Sequence, residues 1–202
     1  MSTLMNAFDK IVSSVTPPES DEKRAEAHAK ARAAARPGDW LSLILDHHEG
    51  LLSALESIRA GQTAQARHET LRRFERLFAG HSIAEEMVVY PAQSLADEKM
   101  SADMGYTEQT AAKMQIAALE VMDPMSEAFL DKLGHLEGAV KHHIHEEEDK
   151  RFVQLMERSS PEEVQRVTAR YREEYEGYMG QSEETGRGAQ TGASEPRSFA
   201  TY

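Results

Sequence analysis

Cysteine is absent from the 202-residue chain, which excludes disulfides, thiolate catalysis and cysteine-ligated iron–sulfur clusters. Basic charge is scarce: 23 Lys and Arg stand against 35 Asp and Glu, a formal net charge of -12 at pH 7. Such a chain repels nucleic-acid phosphates unless a basic patch is segregated, and none is visible, so no nucleic-acid partner is expected. Long apolar runs are missing as well. Nothing approaches the length of a membrane span, and the opening MSTLMNAFDK lacks the basic and apolar regions of a secretion signal. A cytoplasmic protein without a membrane partner is the expectation. No segment alternates like a strand. What is present is 40% hydrophobic and 29% charged residues with a mean hydropathy of -0.61, enough for one domain with a sizeable core, appendages and much solvated helix surface.

Helical periodicity organises the rest. Residues 1–15 set Leu4, Phe8, Ile11 and Val15 at helical spacing until Thr16-Pro17-Pro18 stops them, and residues 19–35 are alanine and charge, read as an exposed helix or a mobile linker. Together residues 1–37 form an N-terminal helical extension, closed by Arg36-Pro37-Gly38. Asp39 then caps a periodic helix to about Arg59, with Leu41, Ile44, Leu45, Leu51, Leu52 and Leu55 on one face. A second helix is predicted from about Thr63 to Tyr90, ended by Pro91, and residues 92–105 read as less regular. A third spans roughly 106–122, and a fourth runs from Ser126 to about Glu157. The sequence Ser160-Pro161-Glu162-Glu163 is a capping box with proline at the first helical position, so an additional helix is expected over 159–179. From Gly180 the composition predicts a disordered tail. The fold class is therefore all-α: an antiparallel up-and-down four-helix bundle over residues 38–158, with extra N-terminal and C-terminal helices.

One pattern occurs twice. HSIAEEMVVYP (81–91) and HIHEEEDKRFV (143–153) both read His, three residues, Glu-Glu, three residues, aromatic. Helical positions four apart converge on one face, being displaced by about 40° and one turn. The pairs His81/Glu85 and His143/Glu147 continue the apolar stripes 71, 74, 78 and 129, 133, 136, 140, so an imidazole and a carboxylate point into the interior twice. Glu86 and Glu148 are rotated off that line and are expected to face water or the rim. Buried carboxylates are costly unless a cation or hydrogen bonds compensate. A bound metal does so, and this donor set suits iron, manganese or zinc. On the first bundle helix His48 falls within the apolar face and is the preferred third imidazole, while His47 reaches its edge. Single histidines on apolar faces are usually satisfied core residues; the matched pairs plus His48 are what favour a metal. The expected ligands are His48, His81, Glu85, His143 and Glu147, and no Glu-x-x-His pair of the ferritin-like kind occurs.

Asp46-His47-His48, His81 to Glu86 ending in Tyr90-Pro91, and His143 to Glu148 ending in Phe152 together resemble the hemerythrin-like, or HHE cation-binding, family, over roughly residues 39–158. The resemblance implies a four-helix bundle with a non-haem di-iron centre, histidines capping each iron and two carboxylates bridging them. Its members bind or sense oxygen, sense redox state, react with nitric oxide or peroxide, or handle iron. The third helix departs from the pattern, with Gln109 where a histidine is expected and Lys113 where a second could follow. That leaves one iron short of ligands unless Tyr106, Glu108 or Glu120 substitutes, or an inward Lys113 replaces the second cation in a single-metal site. Three readings follow: an iron protein whose small-molecule ligand is oxygen, peroxide or nitric oxide; a peroxide-decomposing enzyme at the same centre; or a metal-free helical interaction module whose protein partner the sequence does not name.

Overall fold

The computed structural model describes residues 19–96 and 99–191, with side chains described as far as residue 182. Among the described residues the chain forms eight α-helices and two π-helical turns, and no strand. The α-helices are α1 (Asp21–Ala34), α2 (Trp40–Ala60), α3 (Ala64–Ala84), α4 (Tyr90–Leu95), α5 (Lys99–Glu120), α6 (Glu127–Glu146), α7 (Phe152–Arg158) and α8 (Pro161–Thr191). The π turns, Glu85–Val89 and Glu147–Arg151, join α3 to α4 and α6 to α7. The N-terminal Leu4–Val15 unit lies outside the described residues. No helix among the described residues is long and apolar enough to cross a membrane.

Short polar side chains start the helices by accepting from otherwise unpaired N–H groups. Asp39 accepts from Ser42 N at 2.8 Å, Thr63 from Ala66 N at 3.1 Å and Ser126 from Phe129 N at 3.1 Å, each a cap worth about 1 kcal/mol. The capping box at α8 closes reciprocally, Ser160 N donating to Glu163 at 2.8 Å and Glu163 N to Ser160 Oγ at 3.2 Å. Gly38, at φ 79°, makes the left-handed turn that sends α1 into α2.

Four helices of 20 to 22 residues, α2, α3, α5 and α6, form the bundle, and the longer α8 packs against α3. Arg59 pairs with Glu137 and His48 with Glu148, so α6 runs opposite to α2. Gln109 meets Glu85 while Arg67 meets the Pro124 carbonyl, so α5 runs opposite to α3. Two apolar layers fill the interior. One contains Leu51, Leu55, Phe74, Phe78, Leu119, Leu133, Leu136 and Val140; the other contains Trp40, Ile44, Leu45, Val89, Phe152 and Tyr171. His48, His81, Glu85, His143 and Glu147 occupy the sequence positions between these layers.

Several local expectations are corrected. Residues 19–35 are neither free linker nor a fully exposed helix: Ala27 and Ala31 are buried in the contact that α1 makes with the bundle, their small side chains allowing close approach. Pro91 does not end the second helix. The π turn before it widens the backbone, Tyr90 N–H bonding to the Glu85 carbonyl, and Pro91 sits in the first turn of α4, where its missing N–H is not needed. The helix predicted to begin near residue 106 begins at Lys99, because Ala102 and Gly105 are small enough to pack close. A Cβ on Gly105 would lie 2.6 Å from the Tyr90 ring. Finally, α8 continues past Gly180 to Thr191, where the composition predicts a disordered tail.

Candidate metal centre

The two repeats fold into the same local device. Each glutamate of a His-x-x-x-Glu pair begins a π turn, so its carbonyl accepts from the N–H five residues on, Tyr90 in one case and Phe152 in the other. Insertions of this kind widen a helix locally and recur at functional sites. They set both carboxylates between the apolar layers, where Glu85 and Glu147 are fully buried.

Four of the five expected side chains converge. One ligand atom from each of His48, His81, Glu85 and Glu147 lies within 4.8 Å of the others, and this group can hold a metal ion. His48 Nε2 is 3.3 Å from Glu147 Oε2, and His81 Nε2 is 3.2 Å from Glu85 Oε2. An ion with ligands about 2.1 Å away spaces neighbouring donors by roughly 3.0–3.4 Å, so these separations match the edges of a coordination shell. His143 stands at the side of the group, its Nε2 3.4 Å from Glu147 Oε1. The two oxygens of Glu147 thus face different imidazoles, the arrangement a bridging carboxylate needs.

What holds each imidazole is its other nitrogen. His48 Nδ1 donates to Glu148 at 2.8 Å and His143 Nδ1 to Glu108 at 2.9 Å. His81 Nδ1 lies 3.4 Å from the Tyr171 hydroxyl, which is 2.9 Å from His47 Nδ1. Tyr171 can accept from His81 and donate to His47, so all three inward rings present an Nε2 lone pair to one space. Those Nε2 atoms, with Glu85 Oε1, Glu147 Oε2 and Gln109 Oε1, are buried without a hydrogen-bond partner. Buried polar atoms are normally satisfied, and unpaired buried charges cost several kcal/mol each. The four residues among them that converge, His48, His81, Glu85 and Glu147, fit a cation as the shared partner.

Electrostatics agree with the geometry. Burial opposes charge on His48, but the Glu147 and Glu148 carboxylates beside the ring outweigh it and raise it to about 10. Burial, then Glu147, pushes Glu85 well above the carboxylate range. Burial, then His48, holds His81 well below the usual histidine value. Without a cation, protons take the balancing role, and metal binding displaces them.

The outer partners correct further expectations. Glu148 is buried rather than at the rim, because α1 covers that flank: His28 Nδ1 lies 3.1 Å from both Glu148 oxygens, and Lys30 donates to the Asp149 carbonyl. Glu86 does face the rim, where Lys113 donates to it at 2.6 Å; Lys113 is therefore not an inward substitute cation. Gln109 is fully buried and donates to Glu85 at 2.6 Å. Neither Tyr106, Glu108 nor Glu120 substitutes as a ligand. Tyr106 donates to the Glu86 carbonyl and Glu120 is exposed. Glu108 holds His143 from outside and is clasped by Arg151; burial opposes its charge, but His143 and Arg151 bring it down to about 2. His47 turns away to Tyr171 and stacks on Tyr175 at 3.9 Å, and burial, then His48, lowers it to about 4. Tyr90, unremarked except as the end of its motif, donates to Glu147 at 2.9 Å.

A family profile described as the hemerythrin HHE cation binding domain matches residues 40–155, more than half of the chain. The chain belongs to this family. No curated protein and no solved structure matches it. The hemerythrin-like segment takes in every side chain of the buried cluster, but α1 and α8, which supply His28 and Tyr171, lie outside it. Membership implies metal binding and a small-molecule ligand, and the buried His/Glu cluster is where an ion fits.

Proposed function

We propose that this hemerythrin-like protein binds iron at one strong and one weaker position and uses the centre to bind or sense oxygen, peroxide or nitric oxide. The domain that carries the site is residues 38–158, with residues 1–37 and the helix after residue 158 as additions. His48, His81, Glu85 and Glu147 hold the strong position. His143 and the second oxygen of Glu147 define the weaker one, completed only by the amide oxygen of Gln109, a poor ligand. The observation that carries this reading is the set of unpartnered buried donors facing one another. Iron, when bound, supplies redox chemistry and an exchangeable coordination position.

The chain's own contribution is orientation and exclusion of water. Glu148, Tyr171 and Glu108 fix the imidazoles, and the two apolar layers seal the cluster above and below. Tyr90 keeps a phenolic proton beside Glu147 and lies 3.4 Å from Glu85, so a donor stands at the carboxylates where a polar ligand would need one. The same proton source favours peroxide turnover as the second reading.

Anaerobic titration of metal-free protein with iron(II) should give one tightly held ion and a second held more weakly, and His81→Ala should lose the tight one. Protein purified from iron-supplemented cells without stoichiometric metal overturns the reading. Decay of hydrogen peroxide on the loaded protein, abolished in His81→Ala, separates an enzyme from a binder.

A further inference from the structure

A cleft of about 330 Å³ opens between α1, α2 and α6. Its lining includes Asp21, Glu49, His28, His145, Glu148 and, at its floor, His48. These groups form a graded series. The side chain of Glu49 is 61% exposed, His28 31%, Glu148 3% and His48 1%, and consecutive members touch: Glu49 to His28 at 3.2 Å, His28 to Glu148 at 3.1 Å, Glu148 to His48 at 2.8 Å. Each is a carboxylate or an imidazole, so each step outward from the cluster offers another metal donor. His145, on the same wall, has a buried Nδ1 with no hydrogen-bond partner. Glu19, just before α1, and His142 and Glu146 on α6 bring three further ligand atoms within 4.8 Å of one another. Elsewhere the cluster is closed by fully buried Tyr90, Gln109 and Tyr171.

We infer that this cleft is the route by which a divalent cation reaches the buried centre, with Glu49, His28 and Glu148 as successive transient ligands. The inference rests on the iron-binding reading and assigns a task to α1, which lies outside the hemerythrin-like segment. A hydrated cation loses its waters reluctantly, and a series of oxygen and nitrogen donors replaces them a few at a time. The chain's net charge of -12 draws cations toward the surface, and carboxylates outnumber Lys and Arg in the lining. The alternative for His28 is that it only positions Glu148 and, through it, His48.

The two roles differ in kinetics. A group on the route accelerates arrival and departure alike, since both follow one path; a positioning group stabilises the bound state and slows departure alone. Cobalt(II) gives an optical signal on binding, so its uptake by the metal-free full-length chain can be followed by stopped flow and its release by a chelator chase. In His28→Ala, and in Ala25→Trp, which places bulk at the cleft wall, uptake and release should both slow by the same factor, with the dissociation constant unchanged. Unchanged rates in Ala25→Trp overturn the route, as does His28→Ala with normal uptake and faster release. Wild-type protein that binds no cobalt(II) at stoichiometry overturns the metal reading itself, a result distinct from either.

Discussion

The segments His81–Pro91 and His143–Val153 enter a π turn at the same point, yet the residue after each central glutamate is used in opposite ways. Glu86 lies at the rim, neutralised by Lys113 at 2.6 Å. Glu148 is buried between His48 and His28, because α1 lies over the second repeat; the first repeat packs instead against α8, which leaves Glu86 at the rim. The central glutamates differ as well. Glu147 offers its two oxygens to imidazoles on two sides, whereas Glu85 is steered by His81 and by the amide of Gln109. A repeated motif therefore yields an asymmetric centre: the asymmetry comes from what packs against each copy rather than from the copies themselves.

This comparison breaks most sharply at Glu147. Glu147→Ala removes the carboxylate shared by both positions and should abolish stoichiometric metal binding, while Glu85→Ala should leave residual binding of a single ion. Metal analysis after desalting distinguishes them, and equal losses would mean the carboxylates are equivalent. Next in size, His81→Ala should lose the strong ion and His143→Ala retain it, read in the same assay. Gln109→His supplies the imidazole the weaker position lacks and should tighten the second ion, visible as a second strong step in calorimetric titration. Tyr90→Phe removes only the hydroxyl bonded to Glu147 and should weaken metal affinity by about 10–100-fold, the usual range for a group that orients a ligand. Gly105→Ala acts on stability rather than on the site: an added methyl meets the Tyr90 ring, and overpacking there should cost about 1–3 kcal/mol, measured as a lower Tm with metal stoichiometry intact.

Much of the bundle was legible because burial imposes a period on sequence. Leu71, Phe74 and Phe78, and Leu133, Leu136 and Val140, mark inward faces, and His81/Glu85 and His143/Glu147 extend those faces by whole turns. His48 could be placed between Leu45 and Leu51 by the same rule. Local signals failed where a distant element decides. Nothing near Glu148 announces that an alanine-rich helix more than a hundred residues earlier will cover it, and rotation alone puts it at the rim. The π turns have no periodic signature, so Pro91 reads as a stop when it is a first-turn residue of a continuing helix. Tyr171 sits beyond the repeats, on a helix whose capping box was visible but whose inward face gave no hint of reaching His81. Lys113 shows the opposite failure: a helical register placed it on the inner face, and a 2.6 Å pair with Glu86 holds it outside.

The most direct test of the central claim is a crystal structure of the iron-loaded protein with anomalous scattering at the iron edge. The account predicts a strong peak bounded by His48 Nε2, His81 Nε2 and oxygens of Glu85 and Glu147, with a weaker peak or none beside His143. No peak at that point, or an ion bound elsewhere while Glu85 and Glu147 keep their present geometry, would contradict it.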